Sequence, residues 1–119
     1  MTTNQFDDTF LGDDKHLAVA DVLMDIEAEM RIMRWWDAVP PSAQALASSL
    51  PFCADTLEFY QWVQFVFLPR MHALVDQRLP LPTACGIAPM LEESSRASGR
   101  ESAHLLDLFM RFDTLLSSR

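Results

Sequence analysis

Apolar positions recur every three or four residues in two long stretches of the chain and crowd together in a third. From about Asp14 to Trp36, Val19, Val22, Leu23, Ile26, Met30 and Met33 fall at i, i+3, i+4, i+7 spacing, which predicts a helix with one buried face. Leu17, Met24, Ala28, Ile32 and Trp35 form a second stripe on roughly the opposite side. Two readings compete for it. Connecting segments cover it, or it is an exposed patch for a partner or a second copy of the chain. The first is favoured, because compact small domains often wrap loops over such stripes. Glu27 and Arg31 are placed to pair across one helical turn.

The crowded stretch runs from Pro51 to Asp76, PFCADTLEFYQWVQFVFLPRMHALVD. Asp55-Thr56-Leu57-Glu58 reads as a capping box ahead of an apolar run, so a helix is predicted from Asp55 to Asp76. Such a helix is roughly 33 Å long at ~1.5 Å per residue. Leu57, Phe59, Trp62, Val63, Phe65, Val66, Phe67, Leu68, Met71, Leu74 and Val75 nearly surround it, so neighbours should bury it on several sides. It is too short, and too often interrupted by Glu58, Gln61, Gln64, Arg70 and His72, to be a membrane span. Pro69 removes a backbone donor and crowds the carbonyl of Phe65, which predicts a kink. On an even helical wheel Arg70 falls among Phe59, Val63, Val66 and Leu74, where a charge needs a partner. Glu27 or Glu29 of the first helix is the expected carboxylate.

The remaining elements are shorter, apart from the last. Pro40-Pro41-Ser42 ends the first helical region, and Ser42 should cap a short helix over Ala43 to Ala47. Arg78 to Met90 holds Pro80, Pro82, Gly86 and Pro89 among apolar residues. It reads as an irregular segment lying over the core, with Pro89 in the first turn of a short helix through Glu92 and Glu93. Ser98-Gly99-Arg100-Glu101 reads as a second capping box, opening a last helix to about Leu116. Leu105, Leu108, Phe109, Phe112, Leu115 and Leu116 form its apolar face, and Asp107 and Arg111 pair on its wet face. No segment alternates long enough to be a strand. The fold class expected is all-α: a small helical bundle of three long helices and two short ones, with the central, proline-kinked helix buried by the others. The domain should cover residues 14–119, preceded by an acidic, loosely ordered segment over residues 1–13.

Charge narrows the classes of partner. The formal net charge is -8 at pH 7, and Asp7, Asp8, Asp13 and Asp14 carry four of those charges with no basic residue among the first fourteen. No basic patch is visible, so direct binding to nucleic acid through phosphates is not expected. An anionic membrane surface is disfavoured for the same reason, and a basic protein surface is favoured. Cys53 and Cys85 lie far apart and show neither a paired motif nor a secretory framework. With no signal peptide visible, the expectation is a cytoplasmic protein with both cysteines as free thiols. A zinc site of Cys53, Cys85 and a histidine lacks the usual short ligand spacings, so no metal and no cofactor is expected.

Read in order, Pro51-Phe52, Asp55-Thr56-Leu57-Glu58, Trp62-Val63-Gln64, Pro69-Arg70-Met71-His72 and Leu79-Pro80-Leu81-Pro82 resemble the YqcC-like family of small bacterial proteins of unknown function. Ile26-Glu27, Arg31, Trp35 and Ile87-Ala88-Pro89-Met90 extend the likeness, which covers roughly Leu17 to Glu93. The resemblance implies an all-helical fold and a genomic association with a tRNA pseudouridine synthase, whose name the family sometimes carries. It supplies no catalytic residues. Pseudouridine synthases resemble one another in a larger mixed α/β fold, with a catalytic Asp beside a basic RNA cleft. A short, helical, acidic chain is better suited to assist such an enzyme than to be one.

Arg70 and His72, with Asp55 and Glu58, form the candidate polar cluster. A histidine among carboxylates can move protons. The structural alternative is favoured: Asp55 and Glu58 as caps, Arg70 in an ion pair, His72 beside Asp76. The leading expectation for function is an interaction module without catalysis of its own, with a tRNA-modifying enzyme as candidate partner. The runner-up is a small-molecule-binding protein or minor enzyme using the polar cluster. A third reading is self-association through Leu17, Met24, Ile32 and Trp35.

Overall fold

The computed structural model describes residues 2–50, 53, 55–83, 86–99 and 102–117, with side chains described from Lys15 onward. The side chains of Asp7, Asp8, Asp13 and Asp14, the Pro51-Phe52 pair, Cys85, Arg100 and Glu101 lie outside this set. In chain order the helices are α1 (Thr2–Ile32), α2 (Ala43–Leu46), α3 (Phe59–Trp62), a π turn (Val63–Phe67), α4 (Leu68–Asp76), α5 (Ile87–Ser98) and α6 (Ala103–Ser117). Because α3, the π turn and α4 run on without a break, the described residues form three long helical segments and two shorter ones. Among the described residues there is no strand. The all-α expectation holds.

Two contacts fix α1 and α6 as antiparallel neighbours. Lys15 Nζ donates to the Leu116 carbonyl at one end (3.4 Å), and Ser102 Oγ donates to Glu29 Oε2 at the other (2.8 Å). Between them Val19, Leu23, Ile26 and Met30 of α1 meet Leu105, Leu108, Phe109 and Phe112 of α6, all buried. The central segment adds Trp62, Val63, Phe67, Leu68 and Met71 to this core, and α5 adds Ile87 and Leu91. Phe67 meets Phe112 edge to face at 5.1 Å, and Phe59 meets Phe109 in the same manner at 6.1 Å.

The helix ends explain where expectation and structure part. α1 stops at Ile32, earlier than Trp36, in a Schellman turn. Arg34 sits in the left-handed region (φ 63), its N–H donates to the Arg31 carbonyl, and the Trp35 N–H donates to the Met30 carbonyl. At its other end the helical backbone begins at Thr2, ahead of the expected Asp14. α4 ends the same way: Arg78 has φ 52, and the Leu79 N–H donates to the Leu74 carbonyl. Beyond it Leu81 packs against the core while Leu79 stays exposed.

The central helix starts at Phe59, not Asp55. Glu58 is its N-cap, and the Gln61 side chain accepts from the Glu58 N–H at 2.9 Å, one half of a capping box. Asp55 and Thr56 turn the other way. Ser48 Oγ donates to Asp55, and Thr56 Oγ1 donates to the Ala45 carbonyl (2.6 Å), so both tie the turn before α3 to α2. Ser42 caps α2 as expected, accepting from the Ala45 N–H. The last helix is capped by Ser102, whose Oγ accepts from the Leu105 N–H (3.0 Å); Ser98 instead closes α5, which runs well past Glu93.

Pro69 is accommodated by the π turn immediately before it. The Leu68 N–H bonds the Val63 carbonyl, five residues back. One additional residue in that turn sets back the later face by about 100° relative to an even helix. Phe59, Trp62 and Val63 thereby share a side with Phe67, Met71 and Leu74. The same setback swings Arg70 to the solvent side with Pro69, Ala73 and Asp76, all exposed. The expected Arg70 ion pair is not formed. Glu27 pairs with Arg31 (2.9 Å), and Glu29 accepts from Ser102.

Candidate functional site

The four residues of the predicted polar cluster are not brought together. Asp55 lies in the turn before α3, Glu58 caps α3, Arg70 is exposed on α4 and His72 is half-buried there. Glu58 and Arg70 are twelve residues apart, roughly 18 Å along the helix axis. Among the described residues none of the four bonds another, and Arg70 has no carboxylate partner. Two depressions formed by the described residues lie elsewhere. One, of about 360 Å³, runs between α5 and α6 and is lined by Leu91, Ser95, Arg96, Ser102, Ala103 and Leu106, with Glu92 at its rim. The other, of about 260 Å³, is a shallow hollow on α1 bounded by Met24, Glu27, Ala28 and Arg31. Cys53 is a buried free thiol, its Sγ turned toward the Leu46 carbonyl.

The best-developed polar constellation is structural, and it centres on Asp37. The Gln64 amide faces the Asp37 peptide: its Oε1 accepts from the Asp37 N–H (2.8 Å), and its Nε2 donates to the Asp37 carbonyl (2.9 Å). Tyr60 Oη and Gln61 Nε2 donate to the Asp37 carboxylate at 3.2–3.4 Å. Trp35 stacks on Tyr60, with ring centroids 5.8 Å apart. Gln64 is the one polar side chain among the buried residues described, and both ends of its amide are satisfied. The signal in the sequence was Gln64 itself, a polar residue inside the run Trp62-Val63-Gln64-Phe65-Val66-Phe67. Its partner could not be read, because Asp37 follows Trp36 with no local pattern to mark it. Asp113 is a second such residue. Its two carboxylate oxygens accept from the Ile87 and Ala88 N–H groups (3.1 and 2.9 Å) and cap α5 from across the bundle.

The predicted interface stripe divides. Leu17, Met24 and Ile32 are 41%, 65% and 75% exposed, and Ala28 between them is exposed as well. Among the described residues no connecting segment covers them, so the favoured expectation for these four positions is corrected. Trp35 leaves the stripe, because the Schellman turn sends it inward to 3% exposure against Tyr60. Exposed Asp21 interrupts the stripe between Leu17 and Met24, exposed Asp25 borders it on one edge, and the Glu27–Arg31 pair borders it on the other. Arg31 also lies over the Trp36 ring at 4.5 Å. The arrangement offers a ridge of apolar side chains with a charged border, on the side of α1 turned away from the core.

Among the described residues no helix is long and apolar enough to cross a membrane. Residues 18–115 match a protein-family model described as tRNA pseudouridine synthase C. The chain is 34% identical over 95 residues to the uncharacterized protein YqcC of Escherichia coli K12, covering 80% of this chain and 87% of that one. It is 36% identical over 74 residues to an uncharacterized protein of Haemophilus influenzae Rd, covering 62% of this chain and 70% of that one. A tRNA pseudouridine synthase C of Pectobacterium carotovorum is 48% identical over 64 residues, which make up 54% of this chain but 17% of that one. The solution NMR structure of Escherichia coli YqcC superposes with a TM-score of 0.77 at 33% identity, covering 87% of this chain and 89% of that one. With most of its length matched in sequence and in fold, the chain belongs to the YqcC-like family.

Proposed function

We propose that this chain is a non-catalytic accessory module that associates with a tRNA pseudouridine synthase. The observation that carries the reading is the Pectobacterium relative: a segment 48% identical to this chain forms a minor part of a longer protein bearing the synthase name. Where two modules share one polypeptide, the linker holds them at high effective concentration. Where they are separate chains, an interface must supply the affinity. The module itself is all-helical and acidic, with a formal charge of -8, so contact with the enzyme's protein surface suits it better than contact with tRNA phosphates.

The test is a reconstitution with the tRNA pseudouridine synthase C of the same organism. The two purified proteins should co-elute after nuclease treatment. Adding this chain should change the rate of pseudouridine formation in tRNA several-fold. Separate elution together with an unchanged rate would remove the proposal.

A further inference from the structure

The geometry points to the outer face of α1 as the surface that docks a basic, amphipathic patch of that synthase. This rests on the accessory reading given above. Leu17, Met24 and Ile32 stand out from the side of α1 opposite its buried residues, with a shallow hollow beside Met24 and Ala28. From Met24 through Ala28 to Ile32 the exposed row is apolar and bordered by charge, with Asp21 separating it from Leu17; this is the pattern of an interface core with a polar rim.

The charge of the border selects the occupant. From Asp21 to Ile32 the exposed face holds Asp21, at the head of the apolar row, and Asp25 along its edge, and Glu27 is already neutralised by Arg31. An enzyme that grips tRNA must carry basic surface, and lysine or arginine beside an apolar patch complements this rim. A second copy of the chain does not, because it would set the same aspartates and the same net charge of -8 against one another. A lipid surface is excluded by the same sign, since helices lying on membranes carry lysine and arginine along their polar edge.

The experiment measures the affinity of the full chain for the synthase C of the same organism by titration calorimetry, across a range of salt. Met24→Glu with Ile32→Glu should weaken binding more than tenfold, and Met24→Ser, which adds no charge, should weaken it several-fold. Asp21→Lys with Asp25→Lys should weaken binding and flatten its salt dependence. Met110→Glu, on the exposed side of α6, should leave it unchanged. If the wild-type chain binds and the Met24 variants bind within twofold of it, the docking surface is wrong while the accessory function stands. If the wild-type chain fails to bind at all, the accessory function falls and takes this inference with it. A wild-type dimer in solution whose mass halves in the Met24→Glu variant would make a second copy the occupant and overturn the inference.

Discussion

Replacing Gln64 by alanine strips the partners from the Asp37 backbone N–H and C=O at a partly buried junction. The N–H and C=O of Asp37 then lose bonds of 2.8 and 2.9 Å. A buried polar group left unpartnered costs about 1–3 kcal/mol, and these groups are half-buried, so Gln64→Ala should lower stability by about 1–3 kcal/mol in urea unfolding. Gln64→Glu should lower it further at neutral pH. A carboxylate can accept from the Asp37 N–H, but it sets an oxygen against the carbonyl and a charge near the Asp37 carboxylate. A loss under 1 kcal/mol for both variants would mean that water substitutes for the amide. Arg34 invites the opposite change. It holds φ 63 at the end of α1, a conformation that costs a non-glycine residue about 1–2 kcal/mol. Glycine relieves that cost but gives some back through the freedom of the unfolded chain. Arg34→Gly should raise stability by about 0.5–1 kcal/mol, and a fall would show that the arginine side chain stabilises this turn.

Helix ends in this fold are held by distant residues as well as local ones, and that sets the limit of what its sequence reveals. Ser42 capping α2 and the pairs Glu27–Arg31 and Asp107–Arg111 span three or four residues, so spacing alone finds them. Asp113 caps α5 from about twenty-five residues away, and Ser102 joins its own helix to Glu29 of α1. No window along the chain contains both partners of such a contact. Asp113→Ala should therefore cost about 1–2 kcal/mol, as loss of a helix cap does, and should speed amide exchange first at Ile87 and Ala88. Protection unchanged at those two amides would show that they have another acceptor. The π turn is a different kind of blind spot. Pro69 announces a disturbance, but one additional residue in the preceding turn, rather than a simple bend, decides which side chains face inward. An even wheel sends Arg70 toward the core; the set-back face leaves it in solvent.

At the scale of the molecule, the periodicity of α1 separates two populations of side chain that composition cannot distinguish. Leu23 and Met24 are neighbours of similar size and hydropathy. Leu23 is fully buried between α1 and the rest of the bundle, whereas Met24 is 65% exposed. The buried stripe was legible because it repeats over four turns and has a bundle to face. The outer stripe repeats less regularly, broken by Asp21 between Leu17 and Met24, and the path of the connecting segments decides whether it is covered. That path depends on the Schellman turn at Arg34 and the Asp37–Gln64 junction, neither of which the pattern encodes. The two neighbours should consequently respond in opposite ways. Leu23→Ala deletes packed methyl groups and leaves a cavity, which costs about 2–5 kcal/mol. Met24→Glu places a charge where water already reaches and should change stability by less than about 0.5 kcal/mol. Chemical denaturation of both variants, at concentrations low enough to exclude association, measures the contrast directly. Unfolding of Met24→Glu under those conditions would mean that this face of α1 is covered within the single chain, and the surface assigned to a partner would not exist.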